Sequence, residues 1–582
     1  MEEKGDVFFM KRKYGMSVIL LLAVILLVSL TGCGKKKENE KENNPVTENE
    51  DNQGGNEEND ATQKAWQEAK TTPFGKYPET VPYTMAKQTT AEARMAEGDT
   101  YEENGYTRYL LDKLNIQNKN VFEANTTDAY NQKVALAIAT EDIPDIMIVN
   151  DLATLEQLVE NDLIQDLSDV YENCISDKIK EIYDSYGGRC QEMVTYDGKL
   201  MALPGSQIEG STKLLWLRKD WMDKLGLEEP KTLEDLEHIL KEFVTKDPGG
   251  NGAGKTIGLA ALPAVAGNYG GGYMLDPFFA SFFAYPKQWL QRENGEVYYG
   301  TVADEMKPAL GALADWYNQG LIDPQFAVRE YDDVTSLIVN GTVGAVFAPW
   351  WMPRSDSYEL NKEVEWVPYI CPLDENGELT YYSQNPTNSY IVVRKGFEYP
   401  EIAAKSVSLI FDYNRYTDDK DNALTVYETE TGVNRTANPL SINLDYNDAV
   451  TISHNNLLAA LNGEKDPNTL MSFEYGLYQT CSAYLEDPAN ATGDQWKTYM
   501  ARVFGAKAAN DEKLKAVDPV FFGTTPSMSL KWANLKKLEE EALLKIIVGE
   551  ESLDYFDTFV QQWLSQGGND ITKEVAQAVE NR

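Results

Sequence analysis

Trp350 and Trp351 stand side by side after an apolar run, Ala345-Val346-Phe347, and ahead of Pro353. Successive side chains along a strand point to opposite faces, so the two indoles cannot both enter one core. One of them is left to stack on the flat apolar face of a ligand. The chain holds 11 Trp, 33 Tyr and 19 Phe residues, so most aromatics must be core and position has to decide. Acid–base and metal chemistry have fewer candidates. The two histidines are His238 and His454. His238 lies in a helical pattern over 232–240 and reads as a helix surface residue. Histidine-dependent catalysis and His-rich metal sites are therefore poorly supported. Cys174, Cys190, Cys371 and Cys481 show no metal-like spacing and leave three disulfide pairings, or free thiols, open.

The remaining cysteine has a more specific setting. Lys11, Arg12 and Lys13 precede an apolar run from Val18 to Leu30, followed by Thr31, Gly32 and Cys33. A basic flank, a short apolar core and small residues before a cut site describe a secretory signal. The run falls short of the about 20 residues a membrane span requires. Leu30-Thr31-Gly32-Cys33 resembles the bacterial lipobox, which implies lipidation (palmitate) at Cys33 and anchoring to the outer face of the cell membrane. Met10, just before the basic triplet, is an alternative start. From Gly34 to about Asp60 the chain is Lys, Glu, Asn, Asp and Gly, too polar to offset its ordering entropy, so residues 34–72 read as a disordered tether. Residues 73–582 are long enough for two lobes. With 53 Lys plus Arg against 93 Asp plus Glu, the formal charge is −40, which argues against a nucleic-acid partner.

Short apolar runs alternate with amphipathic helical patterns throughout, the signature of α/β architecture. Val81 to Met85 and Asp145 to Val149 read as strands, and residues 101–114 and 131–139 as helices. Asp197-Gly198 marks a two-residue hairpin. Leu214 to Leu217 reads as a strand, and residues 232–244 as a helix opened by Thr232 with Asp235 three later. Residues 304–318 form another helix, and two more helical faces run through Leu535 to Ile546 and Tyr555 to Trp563.

Several segments, in order, resemble the large lipoprotein branch of the extracellular solute-binding proteins of carbohydrate ABC transporters. They include Ile143-Pro144-Asp145-Ile146, Tyr196-Asp197-Gly198-Lys199-Leu200, Leu217-Arg218-Lys219-Asp220-Trp221, Trp316-Tyr317-Asn318-Gln319-Gly320-Leu321-Ile322-Asp323-Pro324, Asn340-Gly341-Thr342-Val343-Gly344 and Ala348-Pro349-Trp350-Trp351. The resemblance implies two hinge-linked α/β lobes with a ligand cleft between them. Lobe 1 is expected at about 78–207 plus 384–450, and lobe 2 at about 208–383 plus 451–582. It implies a monomeric, membrane-anchored receptor that captures an oligosaccharide and delivers it unaltered to the permease of an ABC importer.

Sugars present hydroxyl edges and apolar ring faces, so a site needs aromatic platforms and hydrogen-bonding side chains in the ring plane. The resemblance places Trp350, Trp351, Asp151 and Glu209 in the cleft. Trp216 follows the first hinge segment, and Tyr273 and Trp289 lie in an aromatic, Gly-rich stretch that could cover the cleft. Asn385 and Asn388 lie near a second hinge crossing. Rival readings are core for the tryptophans and a helix N-cap for Asp151. Related proteins carry a calcium loop at the position of Asp247 to Lys255. Here Gly249 replaces the second acid and Gly258 stands at the twelfth position, leaving Asp247 and Asn251 in a degenerate loop with no cofactor expected. A peptide receptor on the same fold and a surface glycoside hydrolase are the alternatives, though no segment looks like a hydrolase motif.

Overall fold

Two sheets with separate cores organise the chain. The computed structural model describes residues 54–90, 94–208, 212–267 and 271–580. Cys33 and Glu209 lie outside the described residues. Residues 59–582 form one compact unit, and the lobes described below lie within it.

In the first lobe the strands run in the order Ile116–Ala124, Val81–Gln88, Ile146–Val149, Tyr390–Val393, Leu203–Pro204. The first three are parallel, and Tyr390–Val393 runs antiparallel to both of its neighbours. Ile146, Met147 and Val149, together with Tyr390 to Val393, are buried, as expected for strands covered on both faces by helices. In the second lobe the order is Trp366–Tyr369, Leu214–Arg218, Val343–Ala348, Ile257–Ala260. Every residue of Leu214–Arg218 and of Val343–Ala348 is buried. One core draws on residues 69–203 and 390–444, while the main cores of the other lobe begin at Leu214 and Leu215 and continue through the C-terminal helices.

The chain crosses between these cores three times, and the crossing segments are stitched together. Gly205 N–H donates to Ser389 O at 2.7 Å, Ser206 N–H to Asn443 O at 2.6 Å and Gln207 N–H to Pro386 O at 2.8 Å. A Cβ on Gly205 would stand 2.3 Å from Ser389 Oγ and 3.0 Å from Asn443 O, so this close approach requires glycine.

Local expectations are mostly met. Asn104 caps the helix Gly105–Leu114, and Thr232 with Asp235 forms the capping box of Leu233–Lys246. Asp197 and Gly198 both have positive φ in the hairpin turn. His238 is exposed on its helix. The tether reading differs from the structure at its C-terminal end, where a helix spans Gly54–Thr71. Ala69 is fully buried and Trp66 packs on the first core. The buried Lys405 ammonium ties the following loop down by donating to Thr72 O at 2.8 Å and Gly75 O at 2.7 Å. Composition had suggested disorder for the whole stretch, but the apolar residues concentrated near its end suffice to dock it.

Cys174, Cys190, Cys371 and Cys481 are free and buried. Burial pushes the Cys174 thiol up to about 11 and those of Cys190 and Cys481 up to about 12. Thiolate is the reactive species. A disulfide-exchange dye is therefore expected to find these four thiols inert in the folded protein and to titrate all four after denaturation. Fewer than four on denaturation would mean bridging.

Candidate ligand-binding groove

The carboxyl ends of parallel strands are where open α/β sheets receive ligands. Gln88 ends one such strand and Asn150 follows another. Asn150 Nδ2 donates to Gln88 Oε1 at 3.0 Å. Both residues line a cavity of about 200 Å³ that also includes Lys87, Thr436 and Ser441. Thr436 and Ser441 also line a second cavity, of about 400 Å³. Arg415, Asp445 and Phe473 continue from that one into a third, of about 340 Å³. Shared wall residues place the three side by side as a row of cavities, termed the groove, with a combined volume within the roughly 300–1,000 Å³ range usual for ligand sites.

The middle of the groove is rich in neutral hydrogen-bonding groups, including Asn414, Asn434, Thr436, Asn438, Ser441 and Asn443. Asn438 is buried and its Oδ1 accepts no hydrogen bond among the described residues. Lys87 supports the floor. Its Nζ donates to Asn438 O at 2.5 Å and Ser441 Oγ at 3.1 Å, and burial brings its pKa down to about 7.

Charges are held in pairs. The Arg415 guanidinium donates to Asp445, which also accepts from the Tyr416 hydroxyl. Arg435 donates to Glu428 Oε2 at 3.0 Å, and Tyr106 and Asn414 donate to Glu428 Oε1 at 2.6 Å each. Phe473 supplies the apolar face. Three guanidinium carbons approach its ring centre: Arg415 at 3.7 Å, Arg502 at 5.3 Å and Arg435 at 5.7 Å.

Arg502 stands between Phe473, which lines two of these cavities, and the paired indoles, its guanidinium carbon being also 4.5 Å from the Trp350 ring centre. Trp350 is buried, Trp351 is 36% exposed, and their rings meet edge to face at 5.5 Å. The tight turn before them is held from below. Trp216 Nε1 donates to Pro349 O at 3.1 Å, and Gly505 approaches so closely that a Cβ there would stand 2.2 Å from Trp350 O.

Other expected site residues take different parts. Trp216 is fully buried and shapes the Pro349–Trp350 turn without reaching a ligand surface. Tyr273, also buried, packs on Tyr331 at 5.0 Å, and its hydroxyl lies 3.2 Å from Thr335 Oγ1. Buried Trp289 stacks with Trp532 at 6.2 Å, where it shares a cavity of about 330 Å³ with Asn385. Trp216 lies within the buried strand Leu214–Arg218 and Trp289 opens the strand Trp289–Gln291, so both rings are drawn into packing, Trp289 with one side on that cavity. Asp151 is an exposed N-cap accepting from Thr154 N–H at 2.7 Å, while its neighbour Asn150 reaches the groove. Asn388 is exposed. Phe473, Arg415, Arg502 and Gly505 were not singled out from sequence. A usable signal for Arg502 is that no acid stands within four residues of it, in a chain with 93 acids.

In the Asp247 loop the carboxylate is engaged by the protein's own donors. Asp247 Oδ1 accepts from Asn251 N–H at 2.9 Å and the Thr256 hydroxyl at 2.5 Å, and its Oδ2 accepts from Gly252 N–H at 2.8 Å. Lys224 donates to Pro248 O. The oxygens are thus occupied by donors, and no cluster of three acidic, His or Cys ligands occurs among the described residues.

The model of the bacterial extracellular solute-binding protein family matches residues 93–404. The chain belongs to that family. Among the relatives of this solute-binding protein, the lipoprotein LipO of Bacillus subtilis (strain 168) is 24% identical over 372 residues, covering 62% of this chain and 67% of that one. The polygalacturonan/rhamnogalacturonan-binding protein YtcQ of the same strain is 24% identical over 388 residues, covering 66% and 71%. The structure of an EF-hand mutant of the Streptococcus pneumoniae substrate-binding protein FusA, in complex with fructo-nystose, superposes with a TM-score of 0.59. It is 16% identical and covers 86% of this chain and 99% of that one. This likeness establishes the two-lobed solute-binding fold.

Proposed function

We propose that this solute-binding protein captures an oligosaccharide in the groove and delivers it, chemically unchanged, to the permease of an ABC importer. The groove itself carries this reading. Linked cavities of about 200, 400 and 340 Å³ follow one another like successive sugar rings, with the Phe473 face for stacking and amide side chains for hydroxyls. The names of YtcQ and FusA, a polygalacturonan/rhamnogalacturonan binder and a fructooligosaccharide substrate-binding protein, support a carbohydrate solute. The hinge of three stitched crossings supports closure of the lobes around it. Lipidation at Cys33 anchors a monomer outside the membrane. The Leu-x-Gly-Cys pattern supports this anchor, and no helix among the described residues is long and apolar enough to span a membrane.

Screening oligosaccharides by thermal shift tests the proposal. A cognate sugar at 100 times its Kd should add about 2.7 kcal/mol of stability. Phe473→Ala should weaken it by roughly 10-fold, the worth of one aromatic platform. Release of new reducing ends during incubation would overturn the receptor reading, as would a screen in which peptides alone stabilise the protein.

The Asp247 loop, we further propose, closes without calcium, supported by the donors that already occupy Asp247. The melting temperature should be the same in excess calcium and in excess chelator. A rise of several degrees with calcium would overturn this.

A further inference from the structure

We propose that the captured oligosaccharide is anionic, with a uronate carboxylate that pairs in plane with the Arg502 guanidinium. This rests on the oligosaccharide reading above and narrows it. A chain of formal charge −40 nevertheless gathers three arginines around one phenyl ring, within 5.7 Å of its centre. Two are neutralised by carboxylates of the protein, Arg415 by Asp445 and Arg435 by Glu428. Arg502 is different. Its side chain forms no ion pair and no hydrogen bond among the described residues, and it is only partly exposed. Loss of hydration and the neighbouring Arg415 charge bring its pKa down to about 10, so a lone cation is held where a cation is disfavoured.

Its geometry suits a carboxylate. A guanidinium is planar, and with its carbon 4.5 Å from the Trp350 ring centre and 5.3 Å from that of Phe473, aromatic rings stand beside it while no acceptor among the described residues uses its side-chain N–H groups. Those donors form the fork that carboxylates accept bidentately. Phe473, which lines the adjoining cavities, supplies an apolar surface for the sugar that bears the carboxylate. The backbone adds an independent pointer. Arg415 lies in the π-helical turn Phe411–Arg415 and Arg502 in the π-helical turn Met500–Gly505. Such turns are rare and gather at functional sites, because they swing one side chain out of helical register.

The test titrates the full chain with oligomers of galacturonate, glucuronate and mannuronate, each beside its carboxyl-reduced neutral counterpart of equal length. At least one uronate oligomer should bind at least about 10-fold more tightly than its reduced partner, the worth of one charge-assisted pair. That preference should shrink with added salt. Arg502→Gln should bring the two affinities together, and Arg502→Lys should retain part of the difference, with melting curves showing that both variants fold. Neutral oligosaccharides binding while every uronate fails would overturn this inference and leave the oligosaccharide reading standing. An Arg502→Gln protein that folds and keeps the full preference would overturn the assignment of Arg502. Failure of every oligosaccharide, acidic and neutral, would overturn both.

Discussion

Gly505→Ala is expected to lower stability by about 2 kcal/mol and sugar affinity by roughly 10-fold, even though alanine is the better helix former. Gly505 has helical backbone angles, φ −60° and ψ −49°, so conformation alone would favour the substitution by up to about 1 kcal/mol. The opposing term is contact. The new Cβ would stand 2.2 Å from Trp350 O and 3.2 Å from Trp216 Cζ2. The first is backbone, and the second belongs to a fully buried indole fixed by its hydrogen bond to Pro349 O. Neither can rotate away, so the Met500–Gly505 turn or the Pro349–Trp350 turn must shift. Either shift moves Arg502 relative to Trp350. Gly476→Ala is the control, since that helical glycine has nothing within 4 Å of a new Cβ. It should leave stability unchanged or raise it. Equal stability of Gly505→Ala and the parent protein in urea unfolding would mean that the two turns do not touch.

The same contact shows what the sequence could and could not express. The Trp350-Trp351 turn was legible because it depends on a local rule, strand alternation ending at a proline. The caps at Asn104 and Thr232 and the hairpin at Asp197-Gly198 were legible for the same reason. The partners of the indoles were not. Phe473 and Arg502 lie on helices 29 residues apart in number, and neither sits in a local motif; tertiary packing alone brings them to one point. Burial also reversed several expectations. An aromatic residue after a hinge strand looks the same in sequence whether it faces ligand or core, and Trp216 and Tyr273 went to the core. Their role is one step removed, Trp216 holding the turn that presents Trp350. Asp151 and Asn150 show a finer limit, because a shift of one residue decides which of two adjacent polar side chains caps the helix and which reaches the groove.

Glu539→Gln should raise stability by about 3 kcal/mol above pH 8 and change it little below pH 4.5. Glu539 lies inside the Pro526–Ile547 helix and is 1% exposed. Around it Tyr299 stacks on Trp563 at 5.1 Å, and the Tyr299 hydroxyl donates to Glu539 Oε2 at 3.0 Å. Burial raises the carboxyl pKa from 4.5 to about 7, against the opposing pull of the Lys287 charge and the Tyr299 hydrogen bond. Because the folded value lies above the unfolded one, the folded chain holds this proton more tightly. The resulting stability is complete below pH 4.5 and drains away as pH rises through about 7. Glutamine keeps the shape and an acceptor for the Tyr299 hydroxyl without an ionisable proton, so the variant escapes that loss. The difference between the two proteins should therefore open between pH 4.5 and 7 and then stay constant. A constant difference at every pH would assign the effect to packing, and no difference at pH 8 would mean that Glu539 titrates normally. Because Trp289 and Trp532 belong to the same aromatic cluster, the pH-dependent term acts on the second lobe's core. Binding in the proposed groove, which Phe473 lines, should follow a different pH profile from stability, and measuring both on one protein separates the binding surface from the scaffold that carries it.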